Sequence, residues 1–481
     1  MSVDADAGAR TESGGVLARA GLAGAVAGLA GGLVFGAAMA AVGTLPSVAQ
    51  IVRSDAAGLG FAVNMLIAAA IGAGFGLLVA HQQVRGSETL FWGLLYGAFW
   101  WFLGPQTLLP ILTGRPVDWD LAGARELFPS LVGHLFYGGV TALVFVTLRR
   151  RGVQRRRPRI GPLLRGVSAG VVTAVALYVG FDVMAGAELG TLAVLGVLAG
   201  AGYPLLFGGR REAPGPALVR GAVYGFLIWV FAALTVTPLL RDGTLGWSRD
   251  SAVAAVAQLP PSVLLGAGIA VVFNLLGALG RGLFVDDIRM RPREAPGGRG
   301  LRALGHGAVA GLAGGAVFTV VLVAVGGLPK IAQIMGSQAP TAGVVIHLVI
   351  AQLIGVTYAV LFRRSSFDLA SGIGWGVSYG FFWWVLGGLT LLPALTGAVP
   401  QWDAAGITAA FPSLVGHLGY GAALGAVHYR LVSRVDPWWI NRGDAEAERV
   451  SARRSQALGS APALWGLTVL VALIVPLLVL G

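Results

Sequence analysis

The feature that most constrains this chain is a series of apolar runs, each about 20 residues long. A run of that length crosses the hydrocarbon core of a bilayer as one α-helix. The 481 residues are 56% hydrophobic and only 12% charged, whereas a soluble domain carries about 25% charged residues. Too few charged side chains remain to cover a globule in water, so the sequence predicts an all-α, polytopic membrane protein.

Thirteen such runs predict thirteen spans, at residues 16–42, 58–80, 90–112, 127–148, 164–184, 189–208, 217–240, 252–278, 303–327, 342–362, 370–395, 409–431 and 461–480. Transmembrane strands would instead show alternating segments of about 10 residues, which this sequence lacks. Glycines recur at every fourth residue within some runs, as at Gly24, Gly28 and Gly32. This spacing predicts helices that pack closely through glycine faces.

The chain also repeats itself. Residues 45–150 match residues 328–433 at a constant offset and without a gap, and the segments Phe128–His134 and Phe411–His417 are identical. Matches of this kind indicate a structural unit that occurs more than once.

A third, diverged copy lies between these two. Three of its residues stand at the spacing of Trp101, Pro110 and Trp119, namely Trp229, Pro238 and Trp247. With a short insertion allowed, Pro261-Ser262 aligns with Pro129-Ser130. Gly266 is then the residue at the position of His134, so we expect no imidazole there in the middle copy.

The predicted organisation is three parallel four-helix repeats plus one C-terminal transmembrane helix. Its parts are a cytoplasmic N-terminal tail (1–15), repeats at 16–151, 164–282 (the diverged copy) and 303–434, a cytoplasmic linker (435–460) and the last helix (461–480). Each repeat has an even number of spans, so all three share one orientation. A pseudo-threefold arrangement and a linear row of bundles both fit this pattern.

Arginines cluster in the loops that follow even-numbered spans, above all in residues 149–165, which hold eight arginines and no acid. Because basic loops stay in the cytoplasm, we expect a cytoplasmic-membrane protein whose N-terminus is inside and whose C-terminus is outside. The net charge of +12 lies largely in these loops. The expected partner is therefore the lipid bilayer, with no nucleic acid.

Polar residues recur near the outer ends of the third and fourth spans of both well-matched copies. Ser130, His134 and Tyr137 lie at i, i+4 and i+7, on one face of a helix that has Pro129 in its first turn. The residues predicted to face a pathway or a ligand are Ser130, His134, Tyr137, Ser413, His417, Tyr420, Asp120 and Asp403. A titratable ring about 9 Å below the helix start predicts a role in binding a proton or a small solute.

These residues also have other interpretations. The histidines could instead hydrogen-bond a neighbouring helix, or ligate a metal or haem. Asp120 and Asp403 could attract cations or cap the next helix. Trp100 and Trp101 could pack between helices or offer a stacking surface to a lipid or solute.

The remaining histidines receive separate predictions. Asn64 and His347 occupy equivalent positions, where both could face a bundle interior. His81 and His428 stand beside arginines at inner span ends, where we expect them to be solvated, and we expect the same of His306.

The helices that contain Gly133–Gly138 and Gly416–Gly421 resemble a pattern in small bacterial inner-membrane proteins, some of which are linked to acid resistance. In those proteins a proline-containing helix end similarly precedes a glycine–histidine–aromatic helix. The resemblance implies residence in a bacterial membrane. The fused triple copy departs from the pattern.

The sequence contains no P-loop, H-E-x-x-H or G-x-S-x-G motif and no cysteine. We therefore predict no catalytic residues, no cofactor and no metal site. The expected function is non-enzymatic: passage or sensing of a proton or small solute through a polar outer vestibule. The alternative is a structural or assembly protein that binds lipid or partner subunits, in which the histidines only pack.

Overall fold

A computed structural model of the chain describes residues 3–80, 86–149, 160–181, 189–208, 213–284, 298–362, 365–434 and 461–480. All regular structure in these ranges is helical, which confirms the all-α prediction. Ten of the helices are long and apolar enough to cross a bilayer. The chain is therefore a multi-pass membrane protein.

Within the described ranges, a helix coincides with each of the thirteen predicted spans. In chain order they are α1 Val3–Val42, α2 Ala57–Leu78, α3 Gly86–Leu103, α4 Phe128–Arg149, α5 Ile160–Phe181, α6 Leu189–Phe207, α7 Pro214–Ile228, α8 Leu259–Phe284, α9 Gly298–Ala324, α10 Pro340–Phe362, α11 Leu369–Trp383, α12 Phe411–Ser433 and α13 Ala461–Val479. Three of them, α3, α6 and α12, are not among the ten. In α12, His417, His428 and Arg430 lower the mean hydropathy. The N-terminal residues 1–2, the basic segment 150–159 and the linker 435–460 lie outside the described residues.

Helices α3, α7 and α11 each continue through a π-helical segment, which the sequence analysis did not predict. The segments are Gly104–Leu108, Trp229–Val236 and Trp384–Leu391, and they are followed by Pro110, Pro238 and Pro393. A proline has no N–H for the helix ladder, and its ring clashes with the carbonyl four residues earlier. Wider turns re-satisfy such backbone groups in membrane helices. In each segment a threonine hydroxyl donates to the carbonyl oxygen five residues earlier, as Thr107 does to Phe102 at 2.9 Å.

One compact unit comprises the described residues of 1–157, 230–252 and 458–463, and it contains α1 to α4. Helix α1 packs on α2 and α4, and α3 packs on α4. Glycine permits these approaches. A Cβ at Gly28 would collide with the Ala68 carbonyl oxygen, and one at Gly97 with the His134 carbonyl oxygen. The predicted packing through glycine faces is therefore confirmed.

A second unit comprises the described residues of 158–229, 253–457 and 464–481. Helix α5 packs on α6 and α8, α7 on α8, α9 on α10 and α12, and α11 on α12. In each set of four consecutive helices, the first thus contacts the second and fourth, and the third contacts the fourth. Helix α13 packs on α11, where the rings of Trp465 and Trp375 stand at 90° with centroids 5.3 Å apart.

Two tryptophan hydrogen bonds recur at equal spacing in each of the three predicted copies. One indole nitrogen donates to a carbonyl oxygen 26 residues later, at 2.9, 2.8 and 3.1 Å: Trp101 to Leu127, Trp229 to Ala255 and Trp384 to Ala410. The other donates to a threonine hydroxyl 12 residues earlier, at 3.2, 3.0 and 3.1 Å: Trp119 to Thr107, Trp247 to Thr235 and Trp402 to Thr390. The long loop between the third and fourth helix is thus tied down in the same way each time.

Glycine contacts correct the alignment of the middle copy. A Cβ at Gly97 would meet the His134 carbonyl oxygen, and a Cβ at Gly225 would meet that of Ser262. The two pairs have equal spacing, so no insertion separates them. Ser262 rather than Gly266 therefore occupies the histidine position. The middle copy differs because a short 3₁₀ turn precedes α8 and delays its start.

Candidate functional site

The two predicted histidines hydrogen-bond within their own helices. His134 Nδ1 lies 2.7 Å from the Ser130 carbonyl oxygen and 3.3 Å from Ser130 Oγ. A carbonyl oxygen can only accept, so Nδ1 carries the proton, and Nε2 of the neutral ring is an acceptor. His417 has the same arrangement with Ser413, at 2.8 and 3.2 Å.

The two predicted tyrosines join helices. The hydroxyl of Tyr137 donates to the Ala68 carbonyl oxygen and that of Tyr420 to the Ala351 carbonyl oxygen, both at 2.8 Å. Each bond links the fourth helix of a set of four to the second. Because both hydroxyl protons are used in this way, the tyrosines contribute mainly ring surface to their surroundings.

Asp120 and Asp403 are N-caps. Each Oδ1 accepts from the backbone N–H three residues later, at 2.7 Å from Gly123 and 2.9 Å from Gly406. The following short helices begin at the next residue. These hydrogen bonds support capping of the next helix rather than attraction of cations as the role of the two aspartates. Both side chains are exposed, and the structure does not bring Asp120 to His134.

A cavity of about 380 Å³ opens among α1, α2, α3 and α4 in the first unit. Ser130, His134 and Tyr137 all lie on its wall. The expectation of a polar vestibule is wrong, because most of the wall is apolar. Apart from Trp100 and Trp247, the lining residues with polar side chains are Thr44, Ser47, Asn64, Glu126, Ser130, His134 and Tyr137. A site of this size with few polar groups is typical of small-molecule binding.

His134 presents Nε2 toward the π-helical segment of α3. A Cβ built on Gly104, the first residue of that segment, would lie 4.0 Å from Nε2. On another side of the imidazole, the Phe35 ring packs at 63° with centroids 4.7 Å apart. No protein group in the described part of the chain hydrogen-bonds Nε2. This nitrogen can therefore accept a hydrogen bond from a molecule in the cavity.

The tandem tryptophans of α3 divide into two roles. Trp101 is 8% exposed and donates to the Leu127 carbonyl oxygen, which is the predicted packing role. Trp100 lies on the cavity wall. The neighbouring positions thus supply one packing contact to the loop before α4 and one aromatic surface for a solute.

Trp247, in the loop of the middle copy, also lines this cavity, which the sequence analysis missed. Its ring is stacked on Phe136 of α4, with centroids 5.2 Å apart and an interplanar angle of 21°. Only 4% of the residue is exposed. Its match in spacing to Trp119 and Trp402 was the available signal, but that signal does not say which helix the ring contacts.

In the third predicted copy a second histidine, His347, contacts the same phenylalanine ring, Phe318, as His417 does. His347 Nδ1 lies 3.0 Å from Thr319 Oγ1, whose own proton goes to the Gly315 carbonyl oxygen. Phe318 packs against both imidazoles, with centroids 5.0 Å from His347 and 4.5 Å from His417. In the first copy Asn64 stands in place of His347 and donates to the Gly32 carbonyl oxygen at 3.1 Å. Both equivalent residues face an interior, as predicted.

The prediction that His428 is solvated is wrong. The residue is 1% exposed, and its ring stands at 88° to Tyr358 with centroids 5.3 Å apart. Phe145 and Phe75 form the equivalent pair in the first copy, at 79° and 5.8 Å. His428 therefore occupies an aromatic packing position. His306 is partly buried, and His81 lies outside the described residues.

In the described ranges, histidine, aspartate and glutamate side chains do not gather in any group of three. The fold and the cavity define a multi-pass helical membrane protein with an internal, largely apolar site. Comparison of the chain with protein-family models, curated proteins and solved structures found no match.

Proposed function

We propose that the chain consists of three like-oriented four-helix repeats and a C-terminal helix in the cytoplasmic membrane, and that its first repeat binds a small solute as the recognition step of passage or sensing. The observation that carries the functional part is the 380 Å³ cavity with Ser130, His134 and Tyr137 on its wall. The recurrent tryptophan bonds and helix pairings support the repeats.

The character of the wall favours a solute over a proton. A proton path needs a connected series of polar groups or water, and polar groups are expensive at membrane depth. In this cavity the hydroxyl proton of Tyr137 and one amide proton of Asn64 are already used by backbone carbonyl groups. The aromatic and aliphatic wall instead suits a solute that is mostly apolar.

The alternative function, structural or assembly, rests on one specific observation. His134 Nδ1 binds a carbonyl oxygen of its own helix, and Phe35 covers part of the ring, as in a residue that only packs. This alternative predicts that filling the cavity has no effect on small-molecule binding.

The test fills the cavity and measures binding of biphenyl, a neutral apolar probe, to the protein in nanodiscs. Leu108 lies on the wall and is 38% exposed, so Leu108→Trp should fill space without entering the packed core. Ile111 is 56% exposed and does not line the cavity, so Ile111→Trp is the matched control. Equilibrium dialysis against protein-free nanodiscs corrects for partition into lipid.

We expect saturable biphenyl binding by the native chain and the control, and at least a tenfold weaker affinity for Leu108→Trp, because the added indole occupies the site (roughly 1.4 kcal/mol). The unfolding midpoint should be the same for both variants. If the native chain shows no saturable binding, or if Leu108→Trp binds as the native chain does, the solute-binding proposal is wrong.

A further inference from the structure

We infer that the solute held in the first repeat is an uncharged amphiphile: a largely apolar body that carries one hydrogen-bond donor, a hydroxyl group above all, for His134 Nε2. This inference rests on the proposed function and adds the chemical class of the ligand. Three properties of the site support it, namely the tautomer of His134, the charge of the wall and the volume of the cavity.

The tautomer decides which partner the ring accepts. Nδ1 is committed as a donor by the 2.7 Å contact to the Ser130 carbonyl oxygen. The neutral imidazole then has a lone pair on Nε2, which can only accept. A ligand that pairs with Nε2 must bring its own proton. An ether or ketone oxygen at this place would leave two acceptors facing each other, and unpaired buried polar groups are costly.

The charge of the wall argues against an ionic ligand. Glu126 is the charged residue among those lining the cavity, and it is exposed. No carboxylate on the wall therefore lies at the depth of His134, about 9 Å below the first residue of α4. Transfer of a charged group into an apolar site without a partner costs far more than a hydrogen bond returns. The group next to His134 is thus a neutral donor.

The volume sets the size of the apolar body. A cavity of about 150 Å³ lined by apolar side chains binds benzene. By proportion, a cavity of 380 Å³ holds a ligand of about 15 non-hydrogen atoms. Trp100 and Trp247 on the wall suit a flat or aromatic body, since offset or edge contacts between rings add to the burial of area.

The test uses probes of one shape that differ in their polar group. 4-Phenylphenol can donate a hydrogen bond, 4-methoxybiphenyl can only accept one, and biphenyl does neither. Biphenyl-4-carboxylate and protonated 4-(aminomethyl)biphenyl carry charges of opposite sign. Affinities are measured by equilibrium dialysis in nanodiscs, with Leu108→Trp as the blank for non-specific partition.

We expect 4-phenylphenol to bind about tenfold more tightly than biphenyl or 4-methoxybiphenyl, which is the effect of one buried hydrogen bond. His134→Phe should remove this preference while biphenyl still binds, because the ring volume is largely kept. The matched variant His417→Phe, in the third copy, should keep the preference. This pattern of affinities assigns the donor contact to His134.

Other results overturn the inference and leave the proposed function standing. One is saturable biphenyl binding with no preference for the phenol, or a preference that survives His134→Phe. Another is tightest binding of the carboxylate, which would mean that His134 binds its ligand as imidazolium. Tightest binding of the ammonium probe would assign recognition to Glu126. Failure of every probe, biphenyl included, would remove the proposed function itself.

Discussion

At the scale of single residues, the two nitrogens of His134 have different tasks. Nδ1 is held by the Ser130 carbonyl oxygen, and this bond fixes the orientation of the ring. Nε2 is thereby turned toward the cavity and the Gly104 backbone. A packing role and a recognition role are thus compatible in one side chain, because each uses a different atom.

The tyrosine bonds make a prediction at this scale. Tyr137→Phe should lower the free energy of unfolding by about 1 kcal/mol, because the buried Ala68 carbonyl oxygen loses its donor. Tyr420→Phe should do the same through Ala351. The measurement is reversible unfolding in mixed micelles.

Tyr178→Phe provides the matched control for these variants. Tyr178 is partly buried, and its hydroxyl has no hydrogen-bond partner in the portion of the chain that the structure covers. Its removal should change the free energy of unfolding by less than half as much. Equal losses for Tyr137 and Tyr178 would show that the bond to Ala68 contributes nothing specific.

Helical spacing predicted part of this site and could not predict the rest. The common face of Ser130, His134 and Tyr137 follows from a local period of 3.6 residues, which the fold preserves. The burial of His428 was missed because its neighbour Arg430 suggested solvent, whereas its surroundings depend on Tyr358, a residue 70 positions away in the sequence. Local pattern carries no information on such contacts.

At the scale of helices, the π-helical segments are the main feature that sequence periodicity did not indicate. Pro110, Pro238 and Pro393 were visible inside predicted spans, and a proline there disturbs the helix ladder. Whether the helix kinks, breaks or forms a wider π-helical turn depends on the hydrogen-bond donors near the proline. The threonine hydroxyls that bond five residues back accompany the widened turn here.

Close approach of helices makes a second prediction. Gly97→Ala should destabilise the protein by about 2 kcal/mol, because the new methyl group meets the His134 carbonyl oxygen and α3 must move away from α4. Gly305 lies in α9 with open space around its Cα, so Gly305→Ala should be neutral or stabilising by up to about 1 kcal/mol. Reversible unfolding measures both. Similar effects of the two substitutions would refute the close-packing account.

At the scale of the whole molecule, the length of the apolar runs and the offset of 283 residues between the outer copies predicted where the helices lie. They did not predict which loop contributes residues to the wall of the cavity. The span positions follow from bilayer thickness, a constraint that acts on each segment separately. The place of Trp247 on the first cavity follows from packing among several segments. No property of residues 243–248 alone specifies it.

Orientation supplies the prediction at this scale. Because the chain has no cysteine, single cysteines can be introduced without further changes. The proposed like orientation of the three repeats predicts that Asp118→Cys, Asp242→Cys and Val399→Cys all react with a membrane-impermeant maleimide from outside the cell, because it places their loops on the same side of the membrane. Arg155→Cys, in the basic segment, should react only after permeabilisation. Labelling of the middle loop from the opposite side would contradict parallel repeats.

The position of Trp247 has a consequence for the three proposed repeats. The copy that contributes this ring to the first cavity has Ser262 where its own histidine would stand. In an assembly of separate identical subunits, a substitution would change every subunit at once. Covalent fusion removes that coupling, so one copy can give up its own imidazole and still serve as a wall for its neighbour. Different copies within a single polypeptide can therefore take different roles, such as supplying the imidazole or supplying part of the cavity wall, without additional subunits.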